Sequence, residues 1–184
     1  MMKAVQIVGD QAVARAMTDT IRRTILMMLR DRPMTQTQLA EELGLSKAAL
    51  SHHLKILKQH ELVSIVKKEE ESHGIVQKFF AANSYLLLYD FSVLPRDIAG
   101  YFYPARLERA RGVISMLSLN NQSFMRDCKL TDFIARNLSA YLIEAAGPYV
   151  DKEIDYGDEG LIYEIYTKAI RALLRKKLDL MALQ

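Results

Sequence analysis

Residues 35–60 read TQTQLAEELGLSKAALSHHLKILKQH, and their punctuation divides them into two helices joined by a short turn. Thr35 and Gln38 form a capping box, in which side chain and backbone at a helix start satisfy each other's hydrogen bonds. Leu39, Ala40 and Leu43 give that helix one short buried face, and Gly44 ends it, since glycine enters the left-handed region without steric cost. Ser46 then caps a second helix running to about residue 60, with Leu50, Leu54 and Leu57 recurring on one face. Two helices around a glycine-containing turn predict a helix-turn-helix.

The flanking segments complete the unit. Upstream, Ile21, Ile25, Met28 and Leu29 fall on one stripe of a helix over about 19–30, which Pro33 stops. Before that, residues 3–8 alternate weakly as a strand, and Asp10 can cap a short helix through Ala16. Downstream, the β-favouring runs 62–67 and 75–82 flank a charged, glycine-ended turn at 68–74, the pattern of a hairpin wing. The expected fold is mainly α with a small β-hairpin wing: a winged helix-turn-helix within residues 12–83, followed by an α-helical dimerisation region. Domain limits of 1–84 and 85–184 follow.

A helix that enters the major groove, about 12 Å wide, needs one face packed on its domain and an opposite face small or polar enough to touch base edges. At about 100° per residue, the leucines of the second helix put Ala48, His52, Lys55 and Gln59 on the far side, with Ser51 at the edge. Ala48 suits a thymine methyl, Ser51 and His52 suit base acceptors or phosphates, and Lys47 and Lys55 reach guanine or the backbone. An amphipathic helix with a merely solvated polar face has the same periodicity, so the context has to separate the two.

That context resembles the ArsR-type winged-helix repressors. Residues 16–26 (AMTDTIRRTIL), 35–40 (TQTQLA), 45–57 (LSKAALSHHLKIL) and 61–63 (ELV) match their landmarks in order and spacing, over about residues 10–83. The layout is similar to archaeal members that append a helical extension. The resemblance implies a homodimer reading an imperfect palindrome in double-stranded DNA. Carried over by position, its DNA-contacting stretch falls on Lys47, Ala48, Ser51, His52, His53 and Lys55, with wing contacts from Lys67, Lys68 and Lys78. Glu69, Glu70 and Glu71 oppose phosphate contact at the wing tip.

Many ArsR-type proteins release DNA on binding metal, but the ligands for that are missing here. No cysteine lies between Gln36 and Ala40, no histidine follows His73, and Cys128 is the only thiol. No metal or cofactor is expected. The acidic run at 151–159 lacks the ligand spacing of an EF-hand and reads as a solvated loop before the last helix.

The net charge of +3 is modest, yet its distribution is uneven. Residues 1–84 carry 12 Lys and Arg against 9 Asp and Glu, while 85–184 are balanced at 13 and 13. All nine tyrosines lie between Tyr85 and Tyr166, which assigns the halves different tasks. From Tyr85 on the pattern reads as helical, with helices at about 104–118 and 130–146 and a long one from about 159 to the end. The last helix has an apolar stripe wide enough for its own domain and a second copy. Tyr101, Tyr103, Phe124, Phe133, Tyr141, Tyr163 and Tyr166 are candidates to line a pocket for a small apolar effector. Half the residues are hydrophobic, but no run is long enough to span a membrane, and the first ten residues lack a secretory pattern. A cytoplasmic protein is expected. Without a nucleotide loop, nucleophile elbow or zinc-protease helix, the sequence points away from an enzyme. The competing function is a winged helix that docks on transcription machinery without reading sequence.

Overall fold

The computed structural model describes residues 1–70, 76–119 and 128–182. In chain order the elements are β1 (Met2–Val8), α1 (Gln11–Ala16), α2 (Thr20–Asp31), β2 (Met34–Thr35), α3 (Gln36–Leu43), α4 (Lys47–Gln59), β3 (Val63–Glu70) and β4 (Val76–Ala82). There follow β5 (Ser84–Tyr89), α5 (Arg96–Tyr101), α6 (Tyr103–Ser118), α7 (Cys128–Ala146), a 3-10 turn at Gly147–Tyr149, β6 (Glu153–Ile154) and α8 (Gly160–Ala182).

Local chemistry explains the starts of the first four helices. The Asp10 carboxylate accepts from the Ala12 and Val13 amides at 2.7 and 2.9 Å, and Asp19 accepts from Arg22 at 2.9 Å. Thr35 and Gln38 form the capping box in both directions, at 2.8 and 3.2 Å. The Ser46 hydroxyl receives the Ala49 amide at 3.2 Å. Between α3 and α4, Gly44 sits at φ +63°, where a side chain would be strained.

Packing divides into two cores. The first holds Ile25 and Leu29 of α2, Leu39 of α3, the α4 leucines and Phe80 at the base of the wing. The second is built on α7 and α8, including Ile134, Leu142, Ile165 and Leu173. In the wing sheet, β4 lies between β2 and β3, antiparallel to both. A second sheet, ordered β5-β1-β6, pairs β1 parallel with β5 and antiparallel with β6.

That second sheet corrects three expectations. Residues 84–89 are a strand, not the beginning of a helical half. Leu86 and Leu88 face the second core while Leu87 and Tyr89 pack against the first, so both sides of β5 are apolar. The division at residue 84 is also not where the cores part. Met2, Ala4 and Val5 belong to the second core, and Leu94, Ile98 and Phe102 belong to the first. Finally, the acidic run at 151–159 is more than a solvated loop. It supplies β6, buries Ile154, and brings the Gly157 amide to the Arg30 carbonyl at 3.3 Å. The turn expected at 68–74 begins later, because β3 continues through Glu70; the remainder of that turn lies outside the described residues.

Ile98, on the short helix α5 beyond the wing, is buried in the core of the helix-turn-helix. Ile98→Ala is therefore expected to lower the stability of the full chain by about 2–5 kcal/mol, read from the urea midpoint. A change below about 0.5 kcal/mol would show that the first core closes without α5.

Candidate nucleic-acid interface

Helix α4 shows the division of faces that groove entry requires. Leu50, Leu54 and Leu57 are 0%, 3% and 0% exposed, while Lys47, Ala48, Ser51, His52, Lys55 and Gln59 are all exposed. Lys47, Ser51, Lys55 and Lys58 follow i, i+4, i+8, i+11 and form one stripe along the helix. Beside them Ala48, His52 and Gln59 make a parallel stripe. No salt bridge engages Lys47 or Lys55 among the described residues.

His53 departs from the set that the resemblance implied. Its side chain is only 14% exposed and turns towards the start of α2, with Nδ1 3.8 Å from an Asp19 oxygen. Nδ1 itself has no hydrogen-bond partner. Asp19 meanwhile caps α2 and lies 3.6 Å from the Arg22 guanidinium. His53 thus belongs to the contact between α4 and α2, not to the open face.

The wing lysines are sorted by a β-bulge. Ile65 pairs with Phe80 and Lys67 with Phe79, so Val66 is the extra residue and the alternation of β3 slips by one. Lys68 then lies opposite Lys78, on the Phe80 side of the hairpin, and Lys67 lies opposite Phe79 on the other side. Lys67 is held there by an ion pair with Glu69, and its ammonium is 5.4 Å from the Phe79 ring centroid. Lys78 instead faces α4 across an open groove of about 570 Å³, together with Ser51, Lys55 and Lys58. Gln36 stands at the same groove and donates to the Lys47 carbonyl at 2.7 Å, fixing the start of α4 against α3. Exposed Glu69 and Glu70 leave the distal wing acidic; Glu71 and His73 lie outside the described residues.

Lys58 and Gln36 were not singled out from the sequence. Lys58 was legible as the residue three beyond Lys55 on the same stripe, whereas Gln36 reaches the groove through the packing of α3 on α4. Among the described residues, no group of three His, Cys, Asp or Glu side chains could hold a metal ion, and no helix is long and apolar enough to cross a membrane.

Of the seven aromatic residues considered for an effector pocket, six lie among the described residues. Tyr103, Phe133, Tyr141 and Tyr166 pack on the second core, Tyr163 is exposed, and Tyr101 lies beside the Arg23 guanidinium at 5.4 Å. Phe124 lies outside the described residues.

Fold and surface together define a winged helix-turn-helix with a cationic groove beside its second helix. Residues 19–64 match the family model described as "Bacterial regulatory protein, arsR family". Over 56 residues the chain is 45% identical to the transcriptional repressor SdpR of Bacillus subtilis, an alignment covering 30% of this chain and 62% of that protein. The chain thus spans less than two thirds of the length of that relative. The transcriptional regulator HlyU from Vibrio vulnificus is similar over 40% of this chain and 70% of its own, at 29% identity and a TM-score of 0.33. Adhesin competence repressor AdcR from Streptococcus pyogenes is 18% identical, covering 68% of this chain and 79% of its own, with a TM-score of 0.32. SdpR is a bacterial protein, and the expected likeness to archaeal members is not shown.

The two roles of α4 separate by stability. Asp19→Ala removes the α2 cap and the neighbour of His53, and should cost about 1 kcal/mol. Lys55→Ala, on the open face, should change stability by less than about 0.5 kcal/mol. Both are read by chemical denaturation, and a larger loss for Lys55→Ala would mean that its side chain packs on the domain.

Proposed function

We propose that the chain is a DNA-binding transcription repressor that reads a palindromic operator as a homodimer in the cytoplasm. The observation that carries this reading is that Lys47, Ala48, Ser51, His52 and Lys55 are all exposed along α4 while its leucines are buried. The match of residues 19–64 to a regulatory-protein family supports it.

In the reading, α4 lies in the major groove. Ala48, Ser51 and His52 approach base edges, and Lys47 and Lys55 neutralise phosphate. Lys68 and Lys78 extend the cationic surface onto the helix-facing side of the wing, whereas Lys67 and His53 are engaged elsewhere. Two-fold symmetry sets two such helices about 34 Å apart, one turn of duplex. The stripe of α8 supplies a surface for the second copy, since Leu161, Tyr166, Ile170 and Leu174 remain half-buried beside the fully buried Ile165 and Leu173. Residues 1–84 then provide most of the DNA-binding part, and 85–184 most of the dimerisation part.

Glu69 and Glu70 favour a second reading, in which the winged helix docks on a basic protein surface and reads no sequence. The two separate by binding to the chain's own promoter and to random duplex over a salt series. The repressor reading expects promoter affinity at least about 10³-fold above random duplex near physiological salt. Equal and negligible affinity for both would leave the docking reading standing.

Individual lysines refine the test. Lys55→Ala and Lys78→Ala are each expected to reduce the slope of log K against log salt by about 1, on promoter and random duplex alike. Lys67→Ala should leave that slope nearly unchanged, because Glu69 already neutralises it. His52→Ala should lose about 1–3 kcal/mol on the promoter with little change on random duplex. Equal losses on both would reassign His52 to the backbone.

A further inference from the structure

Between β5, the α5–α6 corner and α7 lies a cavity of about 80 Å³ whose walls come from both cores. Tyr89 and Phe102 stack at 4.5 Å between centroids on one side, with Phe91 completing an aromatic cluster. Leu88, Ala135 and Leu138 form the opposite, aliphatic wall. Two arginines, half-buried Arg106 and exposed Arg109, line this space together with Ser139, the Arg109 guanidinium lying 5.6 Å from the Tyr166 ring centroid.

Arg106 is the unusual member. It lies 4.0 Å over the Phe91 ring and donates from Nη2 to the Ala99 carbonyl at 3.2 Å, but its buried Nε has no acceptor. Among the described residues, no carboxylate is within ion-pair distance of Arg106 or Arg109. The nearby Asp132 does not serve, as its two oxygens are engaged by the Tyr103 hydroxyl and by Arg136 Nε. Burial and the charge of Arg136 both hold the Arg106 pKa below its ordinary value. Arg106 is thus a half-buried guanidinium with no carboxylate beside it among the described residues, whereas charges withdrawn from water are ordinarily paired.

We infer that this cavity is a binding site for a small organic anion, a carboxylate carried on a flat apolar body. The carboxylate takes the guanidinium groups of Arg106 and Arg109, in the forked geometry that arginine offers such groups. The body lies between the aromatic cluster and the aliphatic wall. A volume of about 80 Å³ limits the buried part to a single ring or a short chain and excludes a nucleotide. This assignment stands independently of the DNA-binding reading, because it concerns the free protein.

The test is calorimetric titration of the full chain with benzoate, accompanied by the thermal midpoint. Benzamide, neutral and of the same shape, and inorganic phosphate, charged and without a ring, are the comparators. Benzoate should bind with a Kd on the order of 1 mM or tighter and raise Tm at saturating concentration, with each comparator at least about tenfold weaker. Arg106→Gln should weaken benzoate at least about tenfold. Ser139→Leu, which fills the cavity and leaves both arginines in place, should do the same. If Arg106→Gln fails to fold by circular dichroism, Arg109→Gln and Ser139→Leu carry the test. Equal binding of benzamide overturns the anionic ligand, and equal binding of phosphate overturns the apolar cavity. No heat and no Tm change with benzoate overturns the site.

Discussion

Parallel pairing of β1 with β5 brings the start of the chain against its middle, with Lys3 opposite Ser84 and Val8 opposite Tyr89. A parallel pair cannot be closed by a tight hairpin, so everything between the two strands must serve as the crossover. Here the crossover is the entire helix-turn-helix with its wing. The strand pair is consequently a wall shared by two cores, and neither core closes without it. Leu86 and Leu88 serve one side and Leu87 and Tyr89 the other, so at β5 the two halves touch through a single strand.

That arrangement explains which parts of the fold the sequence disclosed. Caps are local chemistry, and Asp10, Thr35 and Ser46, read as caps, each mark a helix start that the structure contains, while Asp19 proves to cap α2 in the same way. The leucine period of α4 is likewise local, and it placed the exposed face correctly. Strand β5 was not legible, because SYLLLY is apolar on both sides and shows no alternation, and a short apolar run cannot be told from a buried helix by periodicity. Strand β6 has only two residues and exists because β1 offers it an edge. At the candidate site, the loss was one of phase. The bulge at Val66 exchanges the faces of Lys67 and Lys68, and no residue type in that run marks it. His53 was misplaced for a related reason. It is adjacent to His52 on the helix, but a step of about 100° carries it from the open face to the packed one.

Helix α2 connects these two lines of reasoning. One of its faces receives the α4 leucines through Ile25 and Leu29, and its ends brace the other half of the molecule. Arg23 donates to the Met17 and Thr18 carbonyls at 2.8 and 2.9 Å and to the Tyr101 hydroxyl at 3.0 Å. Arg30 donates to the Tyr85 carbonyl at 2.9 Å, with its guanidinium 5.4 Å from the Tyr85 ring. The Tyr85 hydroxyl in turn donates to Glu159, and burial together with that carboxylate pushes its pKa up to about 12. Tyr85 therefore keeps its proton across the physiological range and remains a donor to Glu159.

Each of these contacts is worth about 1 kcal/mol, and their combined effect is geometric. They attach α2 at its N-terminal end to α5 and at its C-terminal end to β5 and the start of α8. A helix held at both ends transmits a displacement instead of absorbing it, so the position of α4 depends on how the two cores sit against each other. Tyr89, Phe102 and Arg106 lie where those cores meet, around a cavity lined from β5, the α5–α6 corner, α6 and α7. A ligand there can bias α4 only to the extent that it binds one placement of the cores better than another. Arg106 connects the cavity to the helix-turn-helix, since the Ala99 carbonyl that it holds is part of α5, and Ile98 of α5 belongs to the same core as the α4 leucines.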